Sequence, residues 1–146
     1  MNRLNRKVEY ALMALKIMTR KQRGEFTSAN EIVEETGSPF DATARVLQRM
    51  GQCGLLQSEH GAHGGYKLVG NLQSLSMFEL TEMILGEQAT ARCLQANGDC
   101  ELVSRCNIVH PVSQLNQRFI EFYRNITIAD LLNEPAPKIS QQGATP

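Results

Sequence analysis

The sequence predicts a mainly α, winged helix-turn-helix fold with a small β-hairpin wing and a long C-terminal dimerisation helix. Three observations predict it. Helix-capping signals at Ser28 and Ser38 set two short helices in succession. A glycine-rich segment over 55–69 joins two strand-like runs, and apolar residues recur at intervals of 3, 4, 3 and 4 from Val112 to Ile126. A chain of 146 residues, 42% hydrophobic and 21% charged, is sized for one core. Its apolar runs, such as Ala11 to Leu15, fall far short of the roughly 18 residues that a membrane span requires, and no signal-peptide core is read at its start. A cytoplasmic location and no membrane partner are therefore expected.

Val8, Ala11, Leu12, Leu15 and Met18 fall on one face of a helix over 8–22. Residues 1–25 carry Arg3, Arg6, Lys7, Lys16, Arg20, Lys21 and Arg23 against Glu9 and Glu25, a local balance of +5 in a chain that is neutral overall. Such an arm suits a polyanion, and it equally suits a solvated helix face. Ser28 with Glu31 reads as a capping box for a second helix that ends near Thr36, with Gly37 as its C-cap. Ser38 reads as the cap of a third helix, with Pro39 at its first position and Asp41 at the box position.

Helix, short turn and helix over about 28–51 make a helix-turn-helix, whose second helix enters the major groove of double-stranded DNA. Ser38, Asp41, Thr43, Arg45, Gln48 and Arg49 are the expected contacts to phosphates or base edges, with Phe40, Leu47 and Met50 facing inward. Arg49 is assigned to phosphate and Thr43 to the base edges. Cys53, at the end of this helix, reads as a small buried hydrophobe. The hairpin tip carries His60 and His63 among glycines, which suits a wing laid on the phosphate backbone or in the minor groove.

Ser76 with Glu79 is a further capping box, starting a helix through about Glu87 that buries Leu80, Met83 and Ile84. Residues 91–111 have neither period and few apolar side chains, so they read as a functional loop. Cys93, Cys100 and Cys106 lie there, separated by six and five residues, with His110 beyond. Three soft thiolates and an imidazole suit an iron–sulfur cluster, of two or four irons, or zinc. Zinc modules usually space cysteines more closely, and the absence of a CxxC pair disfavours thiol-redox chemistry. The fourth ligand falls to Glu9 or His110.

Val112, Leu115, Phe119, Phe122 and Ile126 form the seam of the long helix over 112–126, which needs a partner; a homodimer is expected. Thr127 with Asp130 starts a last helix ending near Leu132. Residues 1–133 thus form one regulator domain, and 134–146 read as a disordered tail.

Several of these residues together resemble the Rrf-two family of bacterial winged-helix regulators. They are Tyr10-Ala11-Leu12, the wing run from Ser58 through Gly61, Gly64, Gly65 and Tyr66 to Leu68, Ala91-Arg92-Cys93, and Asn125 through Leu131. The resemblance covers about 1–133. It implies a homodimer with crossed long helices, a cluster on the three cysteines near that interface, and DNA binding that depends on cluster state. It places Glu9 where nitric-oxide-sensing members carry an acidic ligand from the other subunit, and His110 one residue beyond the histidine ligand of other members. Two more departures are a first cysteine gap one residue longer than usual and His60 in place of the wing arginine. The expected function is transcription regulation, as repressor or activator, at a palindromic operator, sensing cluster status, nitric oxide or redox stress. No enzymatic activity is expected, since no P-loop, dinucleotide fingerprint, nucleophile elbow or HExxH helix is present. The alternatives are a zinc-stabilised DNA-binding or interaction module and, from another class, a thiol-redox protein.

Overall fold

The computed structural model describes residues 3–133, so the tail expected over 134–146 lies outside the described residues. Six helices and one hairpin follow in the order α1 (Arg6–Thr19), α2 (Ala29–Thr36), α3 (Phe40–Gln52), β1 (Leu56–Glu59), β2 (Gly65–Leu68), α4 (Met77–Leu85), α5 (Val109–Arg124) and α6 (Ile128–Asn133). Asn5 caps α1 by accepting the Lys7 N–H at 2.9 Å. The helix stops at Thr19 rather than 22. There the Arg20 and Lys21 N–H groups turn to the carbonyls of Ile17 and Met18, three residues back, in the tighter spacing common at helix ends.

The box expected at Ser28 is half made. Ser28 Oγ accepts the Glu31 N–H at 3.1 Å, but the Glu31 carboxylate pairs with Lys21 Nζ at 2.6 Å. A cation within reach displaces the neutral backbone donor as its partner. Gly37 ends α2 in the left-handed conformation, as read from the sequence.

The α2–α3 turn departs further from expectation. Pro39, not Ser38, is the N-cap of α3, and Asp41 closes no capping box. The Ser38 side chain points into the turn, where its Oγ lies 2.8 Å from Thr43 Oγ1 and 2.9 Å from Thr36 Oγ1. Thr43 in turn donates to the Pro39 carbonyl at 2.8 Å. This chain of hydroxyls welds the two helices at a fixed angle.

Leu15 and Val8 of α1, Ile32 of α2, Leu47 and Met50 of α3, Leu80 of α4 and Ile128 of α6 are fully buried and form one core. Each contributes about 1.5–3 kcal/mol relative to an exposed position. Phe40 departs from the expected inward face and stands exposed at the start of α3.

β1 and β2 pair antiparallel, with Leu56 opposite Leu68 and Glu59 opposite Gly65. The hairpin is tied to the body through Thr27, whose N–H and C=O exchange hydrogen bonds with Tyr66 at 2.7 and 2.8 Å. Gly65 is required there, because a Cβ on it would lie 2.5 Å from the Thr27 carbonyl oxygen.

α4 carries the complete box expected at Ser76 and Glu79: Ser76 N–H donates to Glu79 Oε2 at 2.8 Å and Glu79 N–H to Ser76 Oγ at 3.1 Å. It ends at Leu85, ahead of the expected Glu87, because Gly86 follows; Met83 and Ile84 are half-buried beside the buried Leu80. α5 starts at Val109, earlier than expected, with Pro111 in its first turn where a missing N–H costs nothing. Ile126 lies past its end. Its carbonyl accepts the Met77 N–H at 2.8 Å and its side chain packs on the core, so it serves the fold rather than the α5 seam.

Candidate functional site

Two regions carry the candidate chemistry: the outer face of α3 with the wing, and the loop between α4 and α5. On α3, Asp41, Arg45 and Gln48 are exposed at spacings of four and three, a single stripe along the helix. Gln52 extends the same stripe and was not among the expected contacts, though continuing the spacing by four would have found it. Phe40 stands exposed beside the stripe's N-terminal end.

Three expected contacts leave this set. Ser38 and Thr43 are buried in the hydroxyl chain of the turn, where satisfying their oxygens outweighs exposure. Arg49 is exposed, but its Nε donates to the Met83 carbonyl of α4 at 2.8 Å. That carbonyl is among the last four of α4, which no N–H within the helix satisfies, so a cation is drawn to it. Arg49 therefore straps α3 to α4.

His60 and His63 are both exposed at the wing tip. Lys67 of β2 leans over the Phe26 ring, 5.2 Å from its centre. In the basic N-terminal segment, Arg6 pairs with Glu9 at 2.7 Å, Arg20 with Glu35 and Lys21 with Glu31, while Lys16 donates to the Leu132 carbonyl. Much of that local charge is thus spent within the chain, which the sequence balance alone did not reveal.

In the α4–α5 loop, a single 3₁₀ turn spans Arg92–Leu94, and further turns follow. Cys93, Cys100 and Cys106 are free thiols, each half-buried. Between 95 and 108 every residue except Cys100 and Cys106 is exposed, Leu102, Val103 and Ile108 included. From 95 to 108 the loop therefore turns only Cys100 and Cys106 away from solvent, while Cys93 is half-buried in the stretch before it, as are Ala91 and Leu94. Among the described residues no three His, Cys, Asp or Glu side chains are gathered as a metal site. His110 is exposed in the first turn of α5, its Nε2 3.2 Å from Gln114 Nε2, and Glu9 is held by Arg6. Cys53, expected to be buried, is exposed where α3 gives way to the Gly54 turn.

The N-terminus of α1, α4 and α5 enclose an open cavity of about 350 Å³ lined by Val8, Phe78, Thr81, Asn116, Phe119 and Tyr123, among others. Next to it, Arg124 stacks over Phe78 at 4.7 Å from the ring centre. Glu79 sits below the ordinary carboxylate range because the Ser76 N–H and hydroxyl bond its ionised form, with Arg124 adding to the effect. No described helix is long and apolar enough to cross a membrane.

Comparison with known proteins agrees with this architecture. The chain is 26% identical over 146 residues to an rrf2-like HTH-type transcriptional regulator of Rhodobacter capsulatus, a match covering 93% of this chain and 97% of that one. It is 25% identical over 133 residues to the HTH-type transcriptional regulator IscR of Vibrio campbellii, covering 90% of this chain and 78% of that protein. Among solved structures it is similar in fold to CymR, the global cysteine regulator of B. subtilis, with a TM-score of 0.69 and 18% identity, covering 93% of this chain and all of that one. It is likewise similar to T. potens IscR, with a TM-score of 0.65 and 17% identity over 93% and 94% of the two chains. Residues 4–134 match the family model described as Rrf2, iron-dependent transcriptional regulator, so the chain belongs to the Rrf2 (Rrf-two) family and is a transcriptional regulator rather than an enzyme.

Proposed function

We propose that this regulator binds a palindromic operator as a homodimer and that an iron–sulfur cluster on Cys93, Cys100 and Cys106 controls the binding. One observation carries the reading: over the exposed run from 95 to 108 only Cys100 and Cys106 are half-buried, and Cys93, just before it, is half-buried as well. Three soft thiolates fit an iron–sulfur cluster in donor chemistry, and the loop that bears them contributes nothing to the buried core, so it can close around a group at little cost to the fold. Glu9 of a second copy or His110 would complete the ligand set. When bound, a cluster supplies a centre that reacts with oxidants or nitric oxide.

The chain's own residues supply the route to DNA. The cysteine loop leaves the C-terminal end of α4, and Arg49 fastens that end to α3. Asp41, Arg45, Gln48 and Gln52 face outward from α3, with His60 and His63 at the wing tip to meet the backbone or minor groove. A loop that changes its packing on α4 and α5 changes the angle at which α3 is presented.

A second reading, a zinc-stabilised or thiol-based regulator, rests on the same three free thiols. Anaerobic purification with iron, sulfide and zinc analysis separates them. The cluster reading expects a coloured protein with iron and sulfide, and loss of both in each of Cys93→Ala, Cys100→Ala and Cys106→Ala but not in Cys53→Ala. A colourless protein whose operator affinity does not respond to iron and sulfide would sink it.

A further inference from the structure

We propose that Glu87 and Asn116 clasp the cysteine loop between α4 and α5, and that Gly98 closes its first turn. All three are then positioning residues for Cys93 and Cys100, an assignment that rests on the cysteine-loop reading above. The spacer between these cysteines is exposed from Gln95 to Asp99, and Leu94 alone in it is half-buried, so apolar burial does little to hold it. Its shape comes from polar tethers instead. Glu87, just beyond the end of α4, accepts the Ala96 N–H on Oε1 at 3.0 Å. Asn116 of α5 accepts the Thr90 N–H on Oδ1 at 2.9 Å.

Between the tethers the backbone folds on itself. Leu94 N–H bonds Ala91 C=O at 3.1 Å, Gln95 N–H bonds Arg92 C=O at 3.2 Å, and Gly98 N–H bonds Gln95 C=O at 2.8 Å. At Gly98 a Cβ would lie 2.0 Å from the Arg92 carbonyl oxygen and 2.8 Å from that of Gln95. Both are backbone atoms that cannot swing aside, so any side chain at 98 opens the turn. The compact 91–98 segment contains Cys93 and ends two residues before Cys100, so its shape sets where the two thiols stand relative to each other.

The test uses the full chain, first iron-free under anaerobic reducing conditions, by amide hydrogen exchange at Thr90 and Ala96 and by alkylation rates of Cys93 and Cys100 with iodoacetamide. Glu87→Ala is expected to speed exchange at Ala96 about fivefold, as loss of one hydrogen bond implies, while Glu87→Gln, which keeps an acceptor, restores it. Asn116→Ala and Asn116→Asp are expected to behave likewise at Thr90. Gly98→Ala is expected to raise alkylation of both thiols. After reconstitution with ferrous iron and sulfide it is expected to release iron to a chelator about tenfold faster than the wild type. Wild-type exchange in Glu87→Ala, together with wild-type alkylation and iron release in Gly98→Ala, would overturn the clasp. A wild-type chain that takes up no iron would overturn the cluster reading instead, and exchange and alkylation would still decide the clasp.

Discussion

At the scale of single residues, the side chains that α3 leaves exposed and unengaged differ from those that a list of its polar residues would name. Arg45 is exposed on the stripe shared with Asp41 and Gln48, whereas Arg49 is engaged with Met83. Arg45→Ala is therefore expected to weaken binding to all DNA sequences and to reduce the slope of log affinity against log salt by about one, measured by titration across salt concentrations. Arg49→Ala is expected to cost about 1 kcal/mol of stability in urea unfolding, the worth of a hydrogen bond, with the salt slope held. Thr43→Val, which leaves the buried Ser38 oxygen short of a partner, is expected to cost about 1–3 kcal/mol in the same assay. Polarity made these residues candidates; the hydroxyls of Thr36 and Ser38, near Thr43 in the chain, and the end of α4, far from Arg49 along it, decided what each one does.

At the scale of elements, α4 is the piece on which the others converge, since it packs against α1, α3 and α5 and feeds the cysteine loop. Its start depends on the Ser76–Glu79 box. Glu79→Ala is expected to destabilise the chain by about 1 kcal/mol at neutral pH, read from urea midpoints. Because the folded state holds Glu79 below its ordinary value, its contribution is present above the ordinary carboxylate range and is lost as pH falls through the lowered value. The gap between wild type and Glu79→Ala should accordingly narrow in acid and stay constant above neutrality. The wing depends on a different device, the close approach of Gly65 to Thr27, and Gly65→Ala is expected to loosen the hairpin and raise amide exchange at Tyr66 without unfolding the helices.

At the scale of the whole molecule, α5 has no buried residue and leaves Leu115 49%, Phe119 41% and Phe122 61% exposed. An apolar face of that extent on a helix that packs mainly on α4 is the ground for proposing a second copy as its cover. Phe119 also lines the cavity beside α1, so Leu115→Asp is the cleaner probe. It is expected to convert a dimer to a monomer in sedimentation at micromolar concentration, with loss of cooperative binding to a palindromic site whose halves lie about 34 Å apart. A wild type that sediments as a monomer would remove the dimer from the proposed mechanism.

The order of elements, the wing, the cysteine loop and the family were legible in the sequence, because each is written locally. Capping residues, glycines at tight turns and apolar spacing act within a few neighbouring positions. Tertiary structure alone decided which polar side chains remain available. Lys21 took Glu31 from its capping box, Thr43 and Ser38 satisfied each other inside the turn, and Arg49 found the open carbonyl of Met83. It also drew Ile126 to the core beside Met77 and left Cys53 in solvent. Hydrogen-bonding groups pair with whatever partner the fold brings within reach, and the sequence states their number and kind but not their neighbours.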